Sequence, residues 1–313
     1  MPFCLRRRLG FLSEKRGKGA GMKVKEACEK YLKDREQRLR ESTFEGYRSA
    51  ISRHIEPFWG EKELENITPE DLQEWVDNCF SGAPGAAEKA FKTLRQVLRW
   101  SIRRLGLRFF DPFSARIELP KKPSYRPKVL EKEEVRSFLR ALWGDSTEAV
   151  AICAVTLGLR RGEACGLKWS DIDLRSGEVR IRRSRQWVAG HEVVVPPKTD
   201  KSARSCYLPK FALARLRQIR RATGGRGWLC ALPAHRIARR IKAVCAGAGA
   251  ACVSMTECRH TWATLAVEAG VGIETVAMMM GHTDISTAYE HYIVPRPRVC
   301  KDAQRAWARL VMS

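Results

Sequence analysis

Thr156-Leu157-Gly158-Leu159-Arg160-Arg161-Gly162-Glu163 joins an apolar stretch to two adjacent arginines and an acidic residue. The preceding residues, Ala149 to Leu157, are apolar nearly all round, which is typical of a helix buried at a domain centre. An arginine held rigidly at the end of such a helix can present its guanidinium fork to a phosphate. A buried ion pair between Arg160 and Glu163 would explain the same residues, so this segment alone leaves both interpretations open.

Three further segments place polar residues between apolar stretches. They are Pro196 to Arg204, Thr256 to Thr261, and Gly281 to Asp284 with Tyr289-Glu290-His291-Tyr292 shortly after it. A lysine in a turn, such as Lys198, is usually only solvated. A lone histidine or tyrosine is usually a packed residue whose polar tip is satisfied. Each segment therefore has a purely structural explanation when it is taken alone, and only their order along the chain is specific.

Taken together, the four segments resemble the tyrosine recombinase, or phage integrase, family. The catalytic domain of that family carries, in order, a G-L-R-x-x-E segment, a lysine in a β-hairpin ahead of T-x-x-S-x-R, an R-H-T box, a G-H box and a terminal tyrosine. This chain has all of them in that order. His54 to Gly60 and Ile67 to Leu72 also look like the family's helical core-binding domain, so the resemblance covers residues 22–295.

The resemblance implies how the DNA would be held at the cut. Arg160, Arg259 and His282 would bind the non-bridging oxygens of the scissile phosphate, where preorganised donors take the place of a metal ion. Glu163 would orient the arginines. The family most often has a histidine three residues before its second arginine, and this chain has Thr256 there. Threonine cannot act as a base near neutral pH, so this departure predicts slower cleavage, another proton acceptor, or no activity.

The resemblance also implies a nucleophile and a general acid. Tyr292 would attack the phosphate and form a 3′-phosphotyrosyl bond that conserves the phosphodiester energy, so no ATP, cofactor or metal ion is expected. Lys198 would protonate the leaving 5′ oxygen. Tyr289 lies three residues before Tyr292 and competes for the same role. Tyr292 is preferred because it follows His282 by ten residues, which fits the family's usual spacing better than the seven of Tyr289.

The composition favours a polyanionic partner. Lys and Arg number 58 against 35 Asp and Glu, a net charge of +23 that is spread along the chain. Basic surfaces gain affinity for nucleic acid by releasing its counterions, although membrane binding or solubility alone would also explain the charge. The 11 cysteines include no CxxC pair, which favours reduced thiols in a cytoplasm over a disulfide framework or a metal site. No apolar run reaches the length of about 18 residues that a membrane span needs.

Helical periodicity predicts an all-helical domain over residues 22–120. Its second helix should stop before Pro57. Thr68-Pro69-Glu70-Asp71 has the capping and charge pattern of a third helix start, and a longer apolar stripe completes a set of four. Residues 1–21 are basic and Gly-rich, and they are either a mobile arm that contacts DNA or a lead that precedes a true start at Met22.

Residues 121–127 are Pro-rich and basic, and we expect them to link the helical domain to a second domain over residues 128–313. The second domain begins with helical patterns and returns to helices from Phe211. Between them, alternating and β-branched segments bounded by Ser176-Gly177 and Ala189-Gly190 predict a short antiparallel sheet. The predicted fold is therefore mostly α with a small antiparallel β-sheet: an N-terminal helical core-binding domain followed by a mixed α+β catalytic domain.

The resemblance implies double-stranded DNA as the partner, with four protomers on two sites and accessory DNA-bending or directionality proteins beside them. Residues 296–313 have apolar positions at helical spacing and would dock on a neighbouring protomer or fold back on their own domain. The expected reaction integrates or excises a mobile element in a bacterial cytoplasm, in association with the nucleoid. Two alternatives stay open: a nicking-closing enzyme of the type IB topoisomerase kind, and a DNA-binding regulator that has lost catalysis.

Overall fold

The computed structural model describes residues 21–80, 82–123, 125–196 and 203–281 together with Gln304 and Val311. The chain divides into two compact units, Met1–Ser124 and Tyr125–Ser313. Each unit has its own hydrophobic core. The predicted basic arm, residues 1–21, lies outside the described residues apart from Gly21, as does the predicted docking segment 296–313 apart from its two described positions.

The N-terminal unit is built from helices. They are α1 Val24–Arg35, α2 Glu41–Ala50, α3 Glu56–Trp59, α4 Pro69–Cys79 and α5 Pro84–Leu105, with 3₁₀ turns at Leu64–Asn66 and Pro112–Ser114. Large side chains such as Tyr31, Trp59 and Trp75 are almost fully buried between them. The rings of Trp59 and Trp75 meet edge to face with their centroids 5.6 Å apart, a favoured geometry for aromatic pairs. The predicted helical architecture of this unit is confirmed.

One sequence prediction for this unit is wrong, because the second helix does not stop before Pro57. A π-helical turn, Ile51–Ile55, follows α2 directly, and α3 then runs through the proline to Trp59. The Glu56 N–H donates to the Ile51 carbonyl, five residues back. Pro57 therefore lies in the first turn of α3, where a missing N–H costs no helical hydrogen bond.

The predicted start of the helix at Thr68 is confirmed. The Thr68 hydroxyl accepts from the Asp71 N–H at 3.1 Å, and the Asp71 carboxylate accepts from the Thr68 N–H at 2.9 Å. Pro69 occupies the first turn of α4, where it displaces no donor that the helix would use. This reciprocal capping satisfies N–H groups that have no partner inside the helix.

The C-terminal unit arranges its helices around a buried central one. The helices are α6 Lys132–Ala141, α7 Glu148–Leu157, α8 Arg161–Cys165, α9 Lys210–Thr223, α10 Ala234–Gly247, α11 Met255–Glu268 and α12 Ile273–Met280, with a 3₁₀ turn at Trp169–Asp171. Every residue of α7 except Thr156 is buried, as its apolar composition predicts. Helices α6, α8, α9 and α11 pack against it. Within the described ranges, none of the helices combines the length and apolar character that crossing a membrane requires.

The predicted antiparallel strands are present and form two separate pairs. They are β1 Glu178–Ile181 with β4 Arg204–Tyr207, and β2 Ser184–Val188 with β3 His191–Val195. Ala189 and Gly190 join β2 to β3 with φ values of 48° and 88°, the positive values that a two-residue type I′ turn requires. Because β3 and β4 belong to different pairs, the stretch of sequence that contains Lys198 connects one pair to the other.

Candidate active site

Gly158 ends α7 at the point where the buried helix meets the site. Its φ of 60° lies in the left-handed region, which glycine adopts without strain. A Cβ atom at this position would lie 2.5 Å from a ring carbon of Trp262 on α11, so the Trp262 ring leaves room only for glycine. The Gly158 carbonyl accepts a hydrogen bond from Arg259 at 2.7 Å. The end of α7 is therefore fixed to α11 by packing and by a hydrogen bond.

Gly158→Ala is expected to destabilise the C-terminal unit. A left-handed backbone costs a residue with a Cβ about 1 to 2 kcal/mol, and overpacking against Trp262 adds about 1 to 3 kcal/mol. Gly224→Ala is the matched control, because Gly224 also ends a helix at positive φ, 74°, but has open space around it. Chemical denaturation of both variants measures the free energy of unfolding. Equal losses in the two variants would contradict the contribution of Trp262.

Arg160 lies at the start of α8 and links two parts of the site. Its backbone N–H donates to Glu163 Oε2 at 2.9 Å, and its Nη1 donates to Oε1 of the same side chain at 2.8 Å. Its Nη2 donates to the Gly281 carbonyl at 2.6 Å. The Arg160 side chain keeps 40% exposure, so the guanidinium is anchored on the protein and still reachable from solvent. The two interpretations of this segment, an ion pair or a fork for phosphate, are therefore compatible.

Glu163 is a buried carboxylate shared by two arginines. Besides Arg160, it binds Arg204, which donates from Nη1 to Oε1 at 3.3 Å and from Nη2 to Oε2 at 3.1 Å. Burial raises the pKa of the Glu163 carboxyl, but the charge and hydrogen bonds of Arg204, followed by the bonds from Arg160, outweigh it. The pKa of Glu163 is therefore held below its ordinary value, and the side chain is an anionic bridge at neutral pH.

Arg259 lies on α11, whose start is well capped. The Ser254 hydroxyl accepts from the Glu257 N–H at 3.2 Å, and the Glu257 carboxylate accepts from the Ser254 N–H at 2.8 Å. Arg259 itself is 6% exposed, and its Nη1 donates to the carbonyls of Gly158 and Met280 at 2.7 and 3.0 Å. A guanidinium held by backbone carbonyls in this way is preorganised, as a donor to a phosphate needs to be.

Arg204 also binds Glu163 and the end of α12, although the sequence interpretation gives it no role. Its Nε donates to the Met279 carbonyl at 2.7 Å, in addition to its bonds to Glu163. The Arg204 side chain is 9% exposed. The sequence contains a signal for it, because Arg204 is the last residue of the T-x-x-S-x-R pattern that follows Lys198. The sequence alone cannot show that this arginine meets Glu163.

Three arginines from separate segments donate to successive carbonyls at the carboxyl end of α12. The pairs are Arg204 with Met279, Arg259 with Met280, and Arg160 with Gly281. The last carbonyls of a helix lack partners within it and form the negative end of its dipole, so cations are stabilised there. These three arginines, from the start of α8, from β4 and from α11, form a cluster at the end of α12, and their charges make this place electropositive.

Several predicted site residues lie outside the described part of the chain. They are Lys198, His282, Tyr289 and Tyr292. His282 follows Gly281 directly in the sequence, and the Gly281 carbonyl binds Arg160. Thr256 is exposed at the start of α11, one turn before Arg259. In the ranges that the structure describes, no group of three or more His, Cys, Asp and Glu side chains is placed to hold a metal ion.

Residues 128–297 match the phage integrase family, and residues 23–80 match its N-terminal SAM-like domain. The chain belongs to the phage integrase family. The predicted family is thus confirmed, and with it the class of activity, tyrosine site-specific recombination of DNA. The roles of the individual residues stay predictions.

Two curated relatives are similar to this chain over different shares of its length. A tyrosine recombinase XerC-like protein from Caldanaerobacter subterraneus subsp. tengcongensis is 26% identical over 205 residues, which cover 55% of this chain and 52% of that relative. The chain thus spans about half the length of that relative. Tyrosine recombinase XerD from Yersinia pestis is 28% identical over 286 residues, which cover 84% of this chain and 91% of that relative.

Solved structures are similar to this chain in fold. The Tn1549 transposon integrase in complex with transposon right end DNA has a TM-score of 0.73 at 16% identity, over 92% of this chain and 100% of that one. The lambda integrase tetramer bound to a Holliday junction has a TM-score of 0.66 at 19% identity, over 89% of this chain and 80% of that one. The predicted fold, an N-terminal helical core-binding domain followed by a mixed α+β catalytic domain, is confirmed.

Proposed function

We propose that this chain cuts and rejoins double-stranded DNA at specific sites through a covalent bond between Tyr292 and a DNA 3′ phosphate. The phenolic oxygen of Tyr292 attacks the phosphorus, the bond to the 5′ oxygen breaks, and Lys198 gives that leaving oxygen a proton. A 5′ hydroxyl from a partner strand then attacks the phosphotyrosine, which restores a phosphodiester and frees the phenol. The reaction integrates or excises a mobile element.

The convergence of Arg160 and Arg259 on the end of α12 supports this proposal. Both guanidinium groups are fixed by backbone carbonyls, at 2.6 Å for Arg160 and 2.7 and 3.0 Å for Arg259. Cationic donors that are already in place stabilise the charge of a pentavalent phosphorane without having to reorganise. In the proposal, Glu163 holds Arg160 from the interior, and His282, next to Gly281 in the chain, supplies a third donor.

The proposal divides the work between two parts of the chain. Residues 22–120 grip the duplex as a core-binding domain, residues 128–313 carry out catalysis, and residues 121–127 pass along the DNA between them. The net charge of +23 supports DNA as the partner. The absence of a CxxC pair supports reduced cysteines and hence a cytoplasmic location.

The active assembly in this proposal is a tetramer on two DNA sites, with residues 296–313 docked on a neighbouring protomer. The solved lambda integrase tetramer on a Holliday junction supports it by likeness of fold. Cross-linking on DNA, compared between the full chain and a chain that ends at Pro295, tests the docking segment. The shortened chain is expected to bind a single DNA site but to fail to bring two DNA sites together.

Trapping on a nicked suicide substrate tests the proposed chemistry. Cleavage beside the nick releases a short fragment that diffuses away, so rejoining is prevented and the covalent adduct accumulates. Duplexes drawn from the DNA that flanks the gene supply the candidate sites. We expect labelled DNA that migrates with the protein in a denaturing gel and is released by protease. A chain that binds one of these duplexes and forms no adduct contradicts the proposal.

The alternative functions predict different results in the same assays. A DNA-binding regulator, which threonine at the family's usual histidine position favours, binds its site and gives no adduct. A nicking-closing enzyme of the type IB topoisomerase kind gives an adduct and relaxes supercoils without site preference. A recombinase exchanges strands between two marked duplexes that carry the site.

Thr256→His is expected to speed cleavage. A histidine here would supply the titratable group that the family most often has one turn before Arg259, and general acid–base groups contribute about 100-fold or more when well placed. We expect a gain of about tenfold, a fraction of that full contribution. Thr256→Gln is the control, because it adds a polar side chain without a group that titrates near pH 7. If histidine is no better than glutamine, the alignment of this box is wrong.

A further inference from the structure

We propose that Arg204 is a positioning residue for cleavage: it balances the charge of Glu163, so that Arg160 keeps its own charge for the DNA phosphate. This inference rests on the proposed function. Arg204 is not proposed to bind the phosphate itself, because each of its three side-chain nitrogens already donates to Glu163 or Met279. Its effect therefore passes through its neighbours.

A carboxylate beside a phosphate-binding arginine opposes that arginine's task. Glu163 accepts from both the backbone and the guanidinium of Arg160, and because the carboxylate is only 4% exposed, water screens its charge only partly. If the two groups were a closed ion pair, Arg160 would have little net charge to offer, and Glu163 would repel a phosphate. With Arg204 present, the three groups together keep one net positive charge.

The sharing of the two carboxylate oxygens supports this balance. Oε1 of Glu163 accepts from Nη1 of Arg160 and from Nη1 of Arg204, and Oε2 accepts from the Arg160 backbone and from Nη2 of Arg204. Two parallel bonds from one guanidinium are the strong, orienting form of this interaction. The buried Arg204 therefore neutralises the carboxylate from the interior, while Arg160, 40% exposed, faces solvent.

A second link from Arg204 reaches the same guanidinium. The Arg204 Nε donates to the Met279 carbonyl at 2.7 Å, and Gly281, two residues later, accepts from Arg160 at 2.6 Å. Arg204 thus binds the same carboxylate as Arg160 and the same helix end, that of α12. Both links converge on the orientation of Arg160, which makes this arginine the group through which a change at Arg204 is transmitted.

The test compares Arg204→Met with the double variant that adds Glu163→Gln. On the suicide substrate, under single-turnover conditions, Arg204→Met is expected to slow cleavage about 100-fold. Its affinity for the intact duplex is expected to stay near the wild-type value, because many other phosphate contacts supply it. Glu163→Gln removes the charge that Arg204 balances, and we expect it to restore about tenfold of the lost rate. A merely structural role predicts the opposite, a double variant that is slower than Arg204→Met.

Arg215→Met is the matched control. Arg215 also binds a buried carboxylate, Glu148, at 2.6 and 2.9 Å, but at the opposite end of α7. We expect wild-type cleavage from it. The inference is overturned if Arg204→Met cleaves at the wild-type rate, or if adding Glu163→Gln restores none of the lost rate. In either case the proposed function stands as long as the wild-type chain forms its adduct. No adduct from the wild-type chain overturns both. If circular dichroism shows that Arg204→Met is unfolded, Arg204→Gln replaces it in the same comparison.

Discussion

Tyr292→Phe is expected to abolish the covalent adduct and to lower cleavage by at least about 10⁴-fold. Phenylalanine keeps the ring but lacks the oxygen that attacks phosphorus, and loss of a nucleophile leaves only the binding and electrostatic contributions of the site. Tyr289→Phe is the matched control, since it makes the same change three residues away. It is expected to retain cleavage. Both variants are measured on the suicide substrate.

A mobility-shift assay on an intact duplex separates chemistry from binding for these variants. Both are expected to bind as the wild-type chain does, because neither change alters a charge. The reverse pattern, with the adduct kept by Tyr292→Phe and lost by Tyr289→Phe, would assign the nucleophile to Tyr289. The distance from His282 would then not identify the nucleophile.

Arg259→Lys is expected to slow cleavage about 100- to 1,000-fold, the usual cost of losing a preorganised donor to a developing negative charge. Lysine keeps the charge but is a single point donor, so it cannot hold the Gly158 and Met280 carbonyls and a phosphate oxygen in one plane. Single-turnover cleavage measures the rate, and a duplex titration shows whether binding is preserved. A loss of binding equal to the loss of rate would contradict a role in the transition state.

Arg185→Lys is the control for this substitution. Arg185 is 3% exposed, donates to the Cys230 carbonyl at 3.1 Å and pairs with Glu192 at 2.7 Å, so it is an equally buried arginine with a carbonyl partner. We expect it to reduce the stability of the C-terminal unit and to leave the cleavage rate of the folded protein unchanged. Slow cleavage in both variants would mean that burial, rather than position, explains the result for Arg259.

The helices were predictable where a single physical preference decides them. The apolar composition of α7 predicts its burial, and Thr68 with Asp71 predicts the start of α4. Pro57 was misread, because a proline was expected to break the helix before it. The π turn at Ile51–Ile55 places it in a first turn instead, and such a change in hydrogen-bond register depends on packing that local sequence does not show.

The site was predictable where order along the chain is specific. Arg160, Glu163 and Arg259 were singled out by their segments, and the structure brings them together at the ends of α7 and α12. Arg204 ends the T-x-x-S-x-R pattern, but a charged residue near a turn is usually solvated, so the pattern by itself does not predict a role for it. Its burial against Glu163 becomes visible in the structure.

The family, the helical and strand periods and the residue types available for phosphate chemistry can be read along the chain, because each of these depends on neighbouring residues or on motifs in order. Which cations share a partner depends instead on the folded arrangement. Glu163 meets Arg204 across 41 positions, and Arg160 meets Gly281 across 121. Contacts at such separations follow from how helices and strands pack, and the charge that each arginine can offer a phosphate follows from those contacts.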